Sequence, residues 1–247
     1  MIIKIVLTFF IGLLLALVLT PFAKWLGNRI GAVDIPMERK IHSMPIPRSG
    51  GLAIFLSFAL SLLMIYIVHP PPLLSPHLYL NSKLIYAFLG AAVVFSVGFF
   101  DDIRRLRPRV KLVFQIIAAS LAYFGGLKIT TFAIGTFALD LGMMSYFITV
   151  FWFVLLINAM NLIDGLDGLA AGVAFFACVI MTVIASGHAN DWTALAFAAL
   201  AGVLVGFLRY NFNPATIFLG DGGSYFIGYT IAALSIHGSL KSGLATT

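Results

Sequence analysis

Between Lys4 and Lys24 the chain carries no ionisable side chain. Seven further stretches resemble that one, and this repetition is what most constrains the fold. A bilayer core about 30 Å thick needs roughly 20 apolar residues per crossing helix. Inside it, each backbone N–H and C=O must be satisfied within the protein, which leaves helices or closed barrels. The apolar runs cover residues 2–27, 49–69, 83–100, 111–126, 141–158, 168–186, 192–208 and 222–238. They are long and unbroken, so they predict helices rather than short alternating strands. Only 10% of the residues are charged, against about 25% in soluble domains, and the mean hydropathy is +1.06. The expectation is an all-α, polytopic transmembrane bundle of about eight spans, forming a single domain over residues 1–247. The first run is too long for the apolar part of a cleavable signal and lacks a small-residue cleavage site, so it reads as the first span. The only cysteine, Cys178, lies in an apolar run, which excludes a disulfide framework or a cysteine metal site.

Four prolines between Pro70 and Pro76 mark a loop after the second run. The segment 126–142, GLKITTFAIGTFALDLG, mixes β-branched and aromatic residues with small ones and fits a short external hairpin near 127–140. Lys and Arg in the connections set orientation. Assigning the connections alternately to two faces puts Lys24, Arg29, Arg39, Lys40, Arg48, Arg104, Arg105, Arg107, Arg109, Lys111 and Arg209 together, 11 of the 15 cations. That face is expected to be cytoplasmic, with both ends of this chain on the other side. The same face takes Asp34, Glu38, Asp101, Asp102, Asp164, Asp167 and Asp221, 7 of the 9 acids. Polar loops alone account for some of this. They do not account for acids arriving in compact clusters flanked by glycine.

In GFFDDIRRLRPRVK (98–111), Asp101 and Asp102 close the third span and five cations follow. Adjacent carboxylates need a cation, a metal or water to answer them. Headgroup anchoring explains the arginines. The acid pair suggests a general base or a metal-organising pair, with Lys111 holding a phosphate. In INAMNLIDGLDGLAAG (157–172), Asn158, Asn161, Asp164 and Asp167 recur every third residue, and Gly165 and Gly168 suggest a helix break with a restart near Asp167. Helix capping explains Asp167 but not Asn161 or Asp164. Amide and carboxylate oxygens are hard ligands suited to Mg2+. In NPATIFLGDGGSYFIG (213–228), glycines around Asp221 would let backbone approach a ligand, and the N–H groups opening the eighth helix could face phosphate. Phe218 is either core or a flat surface for a base. In ERKIHSMPIPRSGG (38–51), Arg39, Lys40, His42 and Arg48 supply cations, and anchoring to headgroups competes with a functional role for Arg39 and Lys40. No serine nucleophile elbow, H-E-x-x-H or cysteine pair is present. No charge falls deep inside a run, which counts against a coupled transporter.

The motifs RKIHSMPIPRSGG, GFFDDIRRLRPRVK, NAMNLIDGLDGLA and FLGDGGSYFIG stand in the order and spacing of one family. The chain resembles the polyprenyl-phosphate N-acetylhexosamine-1-phosphate transferases over nearly its whole length. Its histidine-containing first motif is closer to the branch using UDP-N-acetylglucosamine than to the phospho-N-acetylmuramoyl-pentapeptide branch. The resemblance implies that N-acetylglucosamine-1-phosphate passes from UDP-N-acetylglucosamine to undecaprenyl or another polyprenyl phosphate, with release of UMP, as the first membrane step of a cell-envelope glycan. It implies Mg2+, with Mn2+ as a substitute, held through Asn161 and Asp221. It implies that Asp101 and Asp102 organise the lipid phosphate or take its proton, and that Lys111 contacts phosphate. Asp164 would lie near the metal or the pyrophosphate. Gly165, Asp167 and Phe218 would hold the uridine, while Lys40, His42 and Arg48 are weaker candidates for phosphate or sugar contact. The implied setting is a bacterial plasma membrane, or an archaeal one, with the site on the cytoplasmic face, a homodimer allowed and no nucleic-acid partner. Relatives carry a further His-rich loop and more spans after the eighth, so a shortened C-terminal end is expected here. The muramoyl-pentapeptide branch is the nearer alternative. A transporter or lipid-binding scaffold is the alternative of another class.

Overall fold

The structure is a computed structural model, and it describes residues 1–35, 45–68, 82–134, 137–187 and 191–242. Eight α-helices follow the eight apolar runs in order: α1 Ile2–Ile30, α2 Gly50–Val68, α3 Ser82–Ile103, α4 Pro108–Phe124, α5 Met144–Ile163, α6 Leu169–Gly187, α7 Asp191–Asn211 and α8 Gly220–Ser242. Among the described residues, six of them (α1, α2, α3, α5, α6 and α7) are long and apolar enough to cross a membrane. The exceptions have physical reasons. With 17 residues, α4 is only about 26 Å long. The start of α8 holds Asp221 among glycines, which dilutes its apolar character. Outward-facing Ile3, Leu7, Phe10, Leu14 and Val18 on α1 are exposed, as a lipid-facing helix requires. The chain is a multi-pass membrane protein.

Among the described residues, two small antiparallel pairs join the helices. Strands β3 (Thr131–Ile134) and β4 (Phe137–Asp140) pair Thr131 with Asp140 and form the hairpin expected near 127–140. Strands β1 (Val33–Asp34) and β2 (Ile46–Pro47) pair Val33 with Pro47. The second pair is too short to leave any alternation in the sequence.

Among the six spans, α7 is the most enclosed, with 78% of its apolar window buried against 17% for α1. It packs along α1 and α6, while α8 packs on α3 and α5, and α2 touches both α7 and α8. In lipid, small residues let helix backbones come close enough for dispersion and packing to act. A Cβ on Gly12 would lie 2.5 Å from the Ala199 carbonyl oxygen, and one on Gly206 would lie 2.5 Å from that of Leu13. A Cβ on Gly202 would overlap the Phe9 carbonyl. Overpacking of this kind costs about 1–3 kcal/mol. Gly202→Ala is therefore expected to lower the melting temperature in detergent by at least about 3 °C. Gly172→Ala, where a Cβ meets nothing within 4 Å, should leave it unchanged in the same thermal-shift assay.

Candidate functional site

The ends of α3 and α5 and the starts of α2, α4 and α8 meet at one end of the bundle, and the acids and cations of four separate motifs meet with them. Asp221 is their centre. Its Oδ2 accepts from Lys111 Nζ at 3.0 Å and from the Tyr225 hydroxyl at 3.3 Å. Its Oδ1 accepts from Asn161 Nδ2 at 3.2 Å and from Arg48 Nη2 at 3.5 Å. Four donors answer one buried carboxylate, as burial of a charge demands. Lys111 also reaches Asp101 Oδ2 at 3.1 Å, and Asn161 also donates to the Ser224 hydroxyl at 3.2 Å.

The adjacent acids Asp101 and Asp102 separate by direction, since neighbouring residues on a helix point about 100° apart. Asp101 Oδ1 accepts the Leu106 N–H and so closes the turn into α4. Asp102 points into α8: its Oδ1 accepts the Asp221 N–H at 2.9 Å and its Oδ2 the Gly222 N–H at 3.0 Å. Two of the N–H groups opening α8, where the sequence suggests a phosphate could sit, are thus taken by Asp102. The glycines around Asp221 also have a use besides the expected one. They let helices touch, and Gly220 also lines a neighbouring cleft. A Cβ on Gly51 would overlap Gly223, and one on Gly98 would lie 2.5 Å from the Asp221 carbonyl oxygen. Gly220, at φ +77, would place a Cβ 2.6 Å from Asp102 Oδ2. Backbone bonds from Gly50 N–H to the Phe218 carbonyl, from Gly51 N–H to that of Leu219, and from Phe218 N–H to that of Pro47 lash the start of α2 to the segment before α8.

Beside this cluster opens a cleft of about 590 Å³. Arg48, Asp164, Gly165, Asp167 and Phe218 all line it, joined by Asp34, Asn211 and Asn213. Arg48 is shared by cleft and cluster, since it also pairs with Asp102 at 3.5 Å. Asp167 does not cap α6, whose start follows Gly168 at φ +73. Its Oδ2 accepts from Asn213 Nδ2 at 3.1 Å and from the Ala215 N–H at 3.0 Å, fastening the α5–α6 turn to the loop before α8. Asn211 adds a second clasp, accepting the Gly168 N–H and donating to the Ile217 carbonyl. Asn158 leaves the group: it donates to Gln115 Oε1 at 2.8 Å inside the bundle. Lys40 and His42 lie outside the described residues. Asn211, Asn213 and Tyr225 carry no role in the sequence motifs, and Asp34 figures there only among the acids of one face. An asparagine ending an otherwise apolar run was the available signal for Asn211.

Oxygen donors dominate the cluster. Among the described residues, no three His, Cys, Asp or Glu side chains stand close enough to hold an ion unaided. Asn161 and Asp221 could supply an amide and a carboxylate oxygen to a hard cation, with other positions filled by ligand and water. Burial pushes the Asp164 carboxyl up to about 8; the Asp102 and Asp221 charges act in the same direction, and Arg48 acts against them.

Residues 84–239 match the model of glycosyl transferase family 4. The chain belongs to that family. It is 40% identical over 243 residues to a Bacillus subtilis protein named "Probable undecaprenyl-phosphate N-acetylglucosaminyl 1-phosphate transferase", covering 97% of this chain and 64% of that relative. It is 35% identical over 239 residues to a decaprenyl-phosphate N-acetylglucosaminephosphotransferase of Mycobacterium tuberculosis, covering 90% and 58%. A phospho-N-acetylmuramoyl-pentapeptide-transferase of a Thermoanaerobacter species is 41% identical over 166 residues, covering 62% and 51%. The chain therefore spans only about three fifths of the length of the first two relatives.

The fold raises the Asp164 carboxyl from its ordinary value of 3.8 to about 8, so the folded chain keeps a proton that an unfolded chain releases. The associated stability is full below about pH 4 and is lost as pH rises through 8. In EDTA-treated protein, Asp164→Asn should melt above the parent by a margin that grows from pH 5 to pH 8 and then levels off. A margin independent of pH in a thermal-shift series would mean that Asp164 is already ionised at pH 5.

Proposed function

We propose that the chain forms a single membrane transferase domain that passes N-acetylglucosamine-1-phosphate from UDP-N-acetylglucosamine to a polyprenyl phosphate, releasing UMP, at the cytoplasmic face of a bacterial plasma membrane. The observation that carries this reading is the meeting of Arg48, Asp101, Lys111, Asn161 and Asp221 beside a cleft lined by Asp167 and Phe218. Two anionic substrates have to be brought together there, one from water and one from lipid. The distribution of Lys and Arg supports the cytoplasmic assignment. The names of the relatives matched over most of this chain support the N-acetylglucosamine branch, whereas the muramoyl-pentapeptide relative matches a shorter stretch.

In this scheme an oxygen of the lipid phosphate attacks the sugar-side phosphorus of the nucleotide. The bond from that phosphorus to the bridging oxygen breaks, and the oxygen leaves on UMP with its electron pair. The product is a lipid diphosphate carrying the sugar. A phosphate monoester is largely ionised near neutral pH, so positioning and charge neutralisation matter more than a strong base. The donor set fits Mg2+, which keeps waters and is usually bound through one or two carboxylates together with substrate phosphates. Asn161 and Asp221 would hold it, with the Asn161 amide turned so that its oxygen faces the ion. Bound there, Mg2+ would neutralise the diphosphate and the charge appearing on UMP. Lys111, half-buried between Asp101 and Asp221, has the reach to pass from carboxylate to phosphate. Arg48 can do the same from the cleft wall. Asp164 stands where the diphosphate would cross from cleft to cluster. The Phe218 ring offers a face for uracil, with Gly165 leaving room beside it and Asp167 holding the loop that carries the ring.

Full-length protein offered radiolabelled UDP-N-acetylglucosamine or UDP-muramoyl-pentapeptide, with Mg2+ and undecaprenyl phosphate, is expected to label lipid only from the first donor. Label from neither would remove the reading, and label from the second alone would move the chain to the other branch. Asp221→Asn and Asn161→Ala should each reduce transfer by at least about 100-fold; near-normal turnover of either would refute the metal assignment. Stacking on an aromatic ring is worth about 1–3 kcal/mol per base. Phe218→Ala should therefore raise the KM for UDP-sugar by about 5- to 150-fold with kcat little changed.

A further inference from the structure

Asp102 makes no use of the freedom a proton-accepting group would need. Its side chain is 1% exposed. Both oxygens are engaged by main-chain N–H groups at 2.9 and 3.0 Å, and Arg48 Nε stands 3.5 Å from Oδ1. A general base must come within about 2.6–3.2 Å of the proton it removes, and that space around Asp102 is filled by the first turn of α8. The approach is built into both helices. Gly98 and Asp102 are four residues apart and share one face of α3. Gly98 brings the α3 backbone against the Asp221 carbonyl, and Gly222 brings α8 against Phe99, where a Cβ would stand 3.0 Å from the Phe99 nitrogen. Gly220 leaves the opening through which the carboxylate passes. One turn beyond the glycine contact, Asp102 meets two of the four N–H groups that a helix start leaves without partners. The negative charge there is favoured by the helix dipole.

We propose that Asp102 is a positioning residue: its carboxylate caps α8 from the neighbouring helix and so fixes the backbone from which Asp221 is aimed at Asn161, Lys111 and Arg48. It acts on the reaction through Asp221, while Asp101, on the adjoining face of α3, is the acid of the pair that reaches Lys111. The inference rests on the proposed transferase reading only for its metal and turnover measurements, and the capping itself can be read without them.

The test compares full-length parent, Asp102→Asn and Asp102→Ala proteins by hydrogen–deuterium exchange of the peptide spanning 219–225 and by Mn2+ affinity from electron paramagnetic resonance. Asp102→Ala should speed exchange at Asp221 and Gly222 at least tenfold and weaken Mn2+ binding at least tenfold. Asp102→Asn keeps one acceptor oxygen, so it should fall between parent and alanine in both. Its turnover should fall while the pH profile keeps the parent's limbs. Unchanged exchange and Mn2+ affinity with collapsed turnover, or loss of one limb of the profile in Asp102→Asn, would overturn the proposal and put Asp102 on the substrate. If the alanine protein shows no melting transition, the near-isosteric asparagine protein decides alone. A parent that binds no Mn2+ would remove the metal reading, and the exchange comparison would still decide the capping.

Discussion

The first turn of α8 is pressed between α2 and α3 at backbone distance, and the site depends on that contact. Gly51 meets Gly223 on one side and Gly98 meets Asp221 on the other. Neither approach tolerates a side chain without displacement. A carboxylate from α3 can then serve as the cap of α8, and a carboxylate on α8 can stand within reach of groups on α2, α4 and α5. In a membrane this arrangement also solves a solvation problem. The opening N–H groups of a helix need partners, and water is scarce where the bundle is tightly packed. Asp102 supplies two of them, and the backbone bonds between 47–51 and 218–219 tie down the approach to the helix.

Charge balance follows from the same convergence. Asp101, Asp102 and Asp221 are countered by Arg48 and Lys111, each of which touches two acids. Shared cations of this kind let several carboxylates stand together in a small volume. They are also long side chains with several rotatable bonds, each shared between two partners. Asp164 lies at the edge of this network, answered less fully, and its raised proton affinity reflects that place.

Much of this was legible in the chain itself, because lipid leaves few alternatives. Apolar runs of membrane length fixed the helices to within a few residues, and the mixed β-branched and aromatic pattern of 126–142 located the hairpin. The acids and amides at span ends marked the region that the fold assembles. What individual residues do there was less legible. The glycines beside Asp221 suggest room for a ligand; that they also bring α2 and α3 to backbone distance depends on helices far apart in sequence. The Asp101–Asp102 pair gave no hint that its members face different partners, since their roles depend on the rotation of α3 against α8. Asn158 and Asn161 follow one spacing, yet only the second faces Asp221; the first is turned toward Gln115 on α4. The two-residue pairing of β1 with β2 and the clasps made by Asn211 and Asp167 arise from tertiary contacts that no local pattern encodes.

Phe218 and Asp221 are three residues apart, and covalent geometry limits such a segment to about 10 Å even when fully extended. The aromatic wall of the cleft and the carboxylate at the centre of the neighbouring cluster thus hang from the two ends of a short tether, stapled to 47–51 on one side and to α3 on the other. Whatever else moves when a ligand arrives, the Cα atoms of Phe218 and Asp221 cannot separate beyond that length. The segment works as a ruler laid from cleft to cluster, and any molecule gripped at both ends is measured against it.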